Sequence, residues 1–136
     1  MPPIAAADEV VLTLPAAPEF VRLARLTCAG LATRIGMGYD EVEDLRIAVG
    51  EACSLLIGAG ARAGTLTLTF GVAPAALGVT IVGGFEDAPA AGGDEDTSLS
   101  DQILDAVVDE HEVDLAADRV WISKRLAPPA RETDPA

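Results

Sequence analysis

The chain has little that would put it in a membrane, on a nucleic acid or outside a cell. No stretch of its 136 residues approaches the roughly eighteen uninterrupted apolar residues that a membrane-spanning helix needs, although half of the chain is apolar. Nine basic residues stand against 22 acidic ones, a net charge of −13, so phosphate backbones and anionic lipid surfaces repel it and neither is an expected partner. Cys28 and Cys53 are its two cysteines and carry no CxxC or histidine-rich spacing. That excludes a disulfide framework and a zinc site, and the two thiols, set in apolar helical patterns, read as core residues. Met1-Pro2-Pro3 opens neither a basic n-region nor an apolar h-region, so no signal peptide is expected and the compartment reads as cytoplasmic. There is no internal repeat, and the length suits one domain around one core.

The charge that is present is unevenly placed. Residues 1–83 hold eight acids and five bases, whereas residues 84–136 hold fourteen and four. An acidic second half serves solubility and can also steer a basic protein partner.

Val10 to Leu14, apolar and β-branched and stopped by Pro15, predicts a first strand. Pro18-Glu19 opens a helix whose stripe of Val21, Ala24, Cys28, Leu31 and Ile35 recurs at spacings of three and four and ends at Gly36 and Gly38. Asp40 with Glu43 offers a capping box for a second helix, with Val42, Leu45, Val49, Ala52 and Leu56 on its apolar side and a stop near Gly58 or Gly60. Thr65 to Phe70 alternates with period two and predicts a strand with Leu66, Leu68 and Phe70 inward. Leu77 to Val82 is its hairpin partner beyond Pro74. Residues 83–97, rich in glycine and acids, predict a long loop. Ser98 or Ser100 caps a third helix with Ile103, Leu104, Val107 and Val108 buried and Asp101, Asp105 and Asp109 wet. Glu112–Leu115 and Arg119–Leu126 close the chain as a hairpin with Val120, Ile122 and Trp121 spanning its two faces. The order β-α-α-β-β-α-β-β predicts an α/β two-layer sandwich, a mixed and mostly antiparallel sheet with its helices on one face. Residues 1–8 and 127–136 are expected to be a flexible N-terminus and a disordered tail flanking a single domain over 9–126.

Asp44-Leu45-Arg46-Ile47-Ala48-Val49-Gly50-Glu51-Ala52-Cys53-Ser54-Leu55 resembles the second-helix signature of the anti-sigma-factor serine kinases, the RsbW-like branch of the GHKL (Bergerat-fold, histidine-kinase-like) ATPases. Ala24-Arg25 in the first helix and Val120 to Leu126 at the end resemble that family's corresponding segments, in the same order of elements from about Val10 to Leu126. The resemblance implies a base, a metal ligand, an adenine-contacting loop and a glycine lid. Glu51 stands where the family's general base toward a partner serine would be. One turn later the family has a magnesium-binding asparagine, and this chain has Leu55, which offers no ligand atom. The family's Asp-x-Gly-x-Gly stretch aligns with Gly83-Gly84-Phe85-Glu86-Asp87, so its acid is Gly83 and its glycines are Phe85 and Asp87. The glycine lid aligns with Thr97-Ser98-Leu99-Ser100, which has no glycine.

The resemblance therefore implies a fold kept without its nucleotide: no cofactor and no metal are expected, and Mg-ATP belongs to the alternative in which Glu51 is catalytic. The family's other activity is to hold a sigma factor, released by a competing anti-anti-sigma (STAS-type) protein. Arg25 looks like the family's shared contact arginine, and Arg22 lies three residues away on the same outward face, although both also read as solvated surface arginines. Homodimers are common in the family, and the outward threonines of residues 65–69 with Trp121 offer such a surface. Three functions follow: a non-catalytic anti-sigma-like regulator, an ATP-dependent serine protein kinase acting on an anti-anti-sigma factor, or a pseudo-ATPase scaffold for another protein client.

Overall fold

Alternating threonine and apolar residues dictate a strand with one wet and one buried face, and that strand lies inside the sheet, paired on both sides. The computed structural model describes residues 8–58, 62–86 and 97–127. Within them, β1 (Asp8–Pro15) leads through a 3-10 turn at Pro18–Phe20 into α1 (Val21–Ile35) and α2 (Tyr39–Ile57). Then come β2 (Gly64–Ala73), β3 (Ala76–Phe85), α3 (Ser98–Val107), β4 (Glu110–Asp114) and β5 (Arg119–Arg125). The strands form one sheet in the order β1-β2-β3-β5-β4. The expectations for residues 1–7, for the tail from 128 and for most of the 83–97 loop, Asp87 included, lie outside the described residues.

The two-layer α/β architecture is as expected, and the sheet, expected to be mixed and mostly antiparallel, is antiparallel in every pairing. The connections explain the difference. With two helices in succession between β1 and β2 the chain reverses three times, which leaves β2 antiparallel to β1. The single helix α3 delivers β4 in the same sense as β3, but β5 turns back and takes the place between them. No parallel pair is then left to form.

Leu66, Leu68 and Phe70 of β2, Leu77, Val79 and Ile81 of β3, and Val120 and Ile122 of β5 are buried against Ala24, Cys28 and Ala32 of α1, Leu45, Val49, Ala52, Cys53 and Leu56 of α2, and Leu104 of α3. Full burial of each large apolar side chain contributes about 1.5–3 kcal/mol. Thr65, Thr67 and Thr69 take the other face, with Val11 at 57% and Val82 at 40% exposure beside them. Trp121, in register between Thr80 and Glu112, belongs to that face and is nevertheless only 8% exposed.

Three local expectations are corrected. α2 starts at Tyr39 after Gly38, whose N–H donates to Glu41 Oε1 at 2.9 Å, so the backward-reaching acid is Glu41, not Glu43. Glycine has no side chain, and only this half of a capping box forms. β3 does not end at Val82: Gly83, Gly84 and Phe85 continue it, paired with Leu66, Thr65 and Gly64. Glycine is a poor strand former by itself, but a partner strand of matching length supplies the hydrogen bonds that keep it extended. The N-cap of α3 is Thr97, ahead of both serines; its Oγ1 donates to Asp101 Oδ2 at 3.0 Å. Ser98 and Ser100 lie inside the first turn. α3 is fixed to the sheet edge by His111, whose Nε2 is 3.2 Å from Asp101 and whose Nδ1 is 3.4 Å from Asp105. None of the described helices is long and apolar enough to cross a membrane.

Candidate functional site

Spacings of three and four residues put Glu43, Arg46, Ile47, Gly50, Glu51 and Ser54 along one flank of α2, beside Arg25 of α1. Together they line a groove of about 360 Å³. Arg46 pairs with Glu43 at 3.3 Å, with the side chains 42% and 38% exposed, so water screens most of that attraction. Arg25 was expected to project from its helix together with Arg22. Both are exposed, and the guanidinium of Arg25 also reaches α2 at Gly50, where a Cβ would meet Nε at 2.8 Å and Nη2 at 3.0 Å. A glycine in the interior of a helix costs about 1 kcal/mol relative to alanine; here it makes room for that group. Arg25 has no hydrogen-bond or ion-pair partner among the described residues.

Glu51, half-buried, is held from the other side. Ser100 Oγ of α3 donates to its Oε2 at 2.5 Å, a contact between residues 49 apart in the chain. Leu55, one turn beyond on α2, is also half-buried. Ser98 is exposed in the same first turn of α3 as Ser100.

At the end of β3 the other sequence-derived positions come together with residues that were not foreseen. The Phe85 ring occupies the space that a side chain at Gly83 would need, with Cζ 2.7 Å and Cδ2 2.8 Å from where its Cβ would be. The guanidinium of Arg62 lies over that ring, 3.5 Å from its centroid. Arg62 also donates to the Leu56 carbonyl at 2.8 Å, at the end of α2, and to Asp118 Oδ1 at 3.3 Å. The Arg62 and Asp118 side chains are 11% and 14% exposed, so the pair is desolvated and removing one partner is costly. Asp118, at φ +49°, accepts the N–H of Gly83 at its carbonyl, 2.8 Å away. One signal in the sequence marks Arg62: it is the only charged residue between Glu51 and Glu86.

Cys28 and Cys53 are fully buried and free, as core residues. Burial pushes both thiols up to about 12, helped at Cys28 by the neighbouring Cys53 and opposed at Cys53 by Arg25. Thiols held that far above neutrality are not nucleophiles. Among the described residues no cluster of histidine, cysteine and carboxylate side chains has the arrangement of a metal site.

The family described as the histidine kinase-like ATPase domain matches residues 14–115. The chain belongs to that family. Within it, the chain is similar to the serine-protein kinase RsbW of Bacillus licheniformis, 43% identical over 70 residues that make up 49% of this chain and 44% of that protein. It is 54% identical over 48 residues to the serine-protein kinase RsbW of Bacillus subtilis strain 168, covering 35% of this chain and 30% of that protein. A third such kinase, from Halalkalibacterium halodurans, is 44% identical over 64 residues, 46% of this chain and 40% of its own length. This chain is thus an RsbW-like GHKL protein, and the matched stretch covers less than half of each of these relatives.

Proposed function

We propose that this chain is a non-catalytic regulator of the RsbW-like type, binding a sigma factor, an anti-anti-sigma protein or both in turn, and that it does so without nucleotide. The observation that carries the reading is the state of Glu51: its carboxylate is engaged by the chain's own Ser100, and its neighbour one turn on is the hydrocarbon Leu55. Mg-ATP, the group that the family implies, does not fit these residues. Leu55 offers no oxygen to a magnesium ion, and the ring of Phe85 fills the space beside Gly83 where the resemblance puts the contact to adenine.

What such a regulator needs instead is a surface. The open guanidinium of Arg25 in the α1–α2 groove supports one, because an exposed arginine is a strong anchor for a partner carboxylate. Arg22, exposed on the same helix, extends that surface. Asp105, Asp109, Glu110 and Glu112, all exposed, give the α3–β4 side of the molecule a field that attracts a basic partner. The threonine face of the sheet is the proposed homodimer surface.

The reading is tested by calorimetry and thermal unfolding with about 1 mM Mg-ATP, alongside capture of purified sigma factors and STAS-type proteins from the same genome. The expected result is no response to Mg-ATP and a complex weakened by Arg25→Ala. A ligand with a Kd of about 10 µM would stabilise the fold by roughly 2.7 kcal/mol, and a shift of that size would replace this reading with the serine-kinase one. The presence of Glu51 on α2 is what favours that second reading.

A further inference from the structure

Leu104 and Val107 are the buried residues of α3, a small apolar hold for a helix, so polar ties carry much of its attachment. Three reach it from three different elements. On α2, Glu51 accepts from Ser100 Oγ. On β5, Lys124 Nζ donates to the Val107 carbonyl at 2.9 Å and pairs with Asp44 of α2 at 3.5 Å. On β4, His111 stands between two carboxylates that lie one turn apart on α3, with Nε2 3.2 Å from Asp101 Oδ1 and Nδ1 3.4 Å from Asp105 Oδ1. The histidine side chain is 14% exposed, whereas that of Asp105 is 76% exposed. Asp101 also accepts from Thr97 Oγ1 at 3.0 Å.

A neutral imidazole has one N–H and one lone pair, and only the imidazolium donates from both nitrogens. A ring with a carboxylate at each nitrogen is therefore fully satisfied only when it is protonated. The other charged groups nearby leave that condition in place. Glu110 and Glu112, its neighbours in β4, pair with Ser123 and Trp121 on the other face of the sheet. Lys124 of β5 shares the face of His111 and its partner Ile122, but is held at Val107 and Asp44. Glu51 and Asp44 of α2 are engaged by Ser100 and Lys124. We propose that His111 is a proton-dependent clamp of α3 on the sheet edge. Protonated, it holds Asp101 and Asp105 together. As pH rises, Nδ1 gives its proton to solvent, the ring keeps Asp101 through Nε2–H, and the Nδ1 lone pair then faces the Asp105 carboxylate and releases it to water. Because α3 carries Ser100, the clamp sets how firmly that hydroxyl is presented to Glu51, whether or not the chain binds nucleotide.

The test compares amide exchange in the full chain, His111→Gln and Asp105→Asn at about pH 5.5 and about pH 8, which bracket the range in which histidine changes charge, after correction for intrinsic exchange rates. Wild-type α3 is expected to lose roughly three- to tenfold of its protection relative to α2 between the two conditions. Glutamine at 111 does not titrate, so His111→Gln exchanges alike at both. An asparagine amide at 105 donates to the neutral Nδ1 and its carbonyl accepts from the protonated one, so Asp105→Asn keeps the tie at both and shows no step. His111 is the chain's single histidine, so its ring nitrogens are read directly by NMR, and the neutral ring is expected to carry its proton on Nε2. Equal protection of wild-type α3 at both conditions, a step of the same size in His111→Gln or Asp105→Asn, or a neutral ring protonated on Nδ1 overturns the proposal.

Discussion

Replacing Gly50 with alanine separates the stability of α2 from the presentation of Arg25. The gain is the helix propensity of alanine over glycine, about 1 kcal/mol at an interior position. The cost is set by what the new methyl meets: Arg25 Nε at 2.8 Å, Nη2 at 3.0 Å and Cζ at 3.3 Å. Those atoms are the far end of a flexible, exposed side chain. The guanidinium has no partner among the described residues, so moving it costs no more than an ordinary surface change, about 0.5 kcal/mol. Gly50→Ala is therefore expected to stabilise the domain by roughly 0.5–1 kcal/mol and to raise its melting midpoint by about 2–5 °C. Urea unfolding should show a higher midpoint at an unchanged slope. The same methyl lifts Arg25 out of its seat, so partner capture should fall toward that of Arg25→Ala. A loss of more than about 1 kcal/mol would refute the reasoning, because it would make the Arg25–Gly50 contact a stabilising one that the fold depends on.

Gly64 gives the opposite sign. It has φ +142°, and its Cβ would meet backbone, Phe85 Cα at 2.8 Å and Gly84 C at 3.0 Å, so Gly64→Ala is expected to lose roughly 3 kcal/mol or more in urea titrations. Ser100→Ala removes a hydrogen bond to a half-buried carboxylate. A loss of about 1–2 kcal/mol, with faster amide exchange confined to the first turn of α3, is the expected outcome, and unchanged exchange there would count against the contact. The two thiols give a pH dependence: they titrate near 12 when folded, against 9.0 for the free group, so the unfolded chain releases its protons first as pH rises. Stability is then full below pH 9 and declines above it by up to about 1.4 kcal/mol per unit for each thiol. A Cys28→Ala/Cys53→Ala variant with the same alkaline slope as wild type would refute this.

Several features of this protein are local and were legible as such. The alternation of Thr65 to Phe70 could only be a half-buried strand, and the stripe of Val21, Ala24, Cys28, Leu31 and Ile35 could only be a helix packed on one side. With the turns between them, these patterns carry the element order, the two-layer architecture and the position of Glu51 on α2, because each depends on residues two to four apart. Glycine and serine carry no such pattern. Gly83 and Gly84 read as loop and became strand only when β2 offered Leu66 and Thr65 as partners. Ser100 read as a cap, and the packing of α3 against α2 turned it onto Glu51. Arg25 reads as outward-pointing and is exposed, but only the packing of α1 on α2 brings its guanidinium over Gly50. Phe85 and Arg62 share no periodicity, and their stack exists because the end of α2, the end of β3 and Asp118 converge on one point. Sequence by itself thus determined which segments fold and which faces they bury, through hydrophobic periodicity. Tertiary structure decided what occupies the site, because a hydroxyl, a guanidinium or an aromatic ring takes whichever partner the packed elements bring within reach.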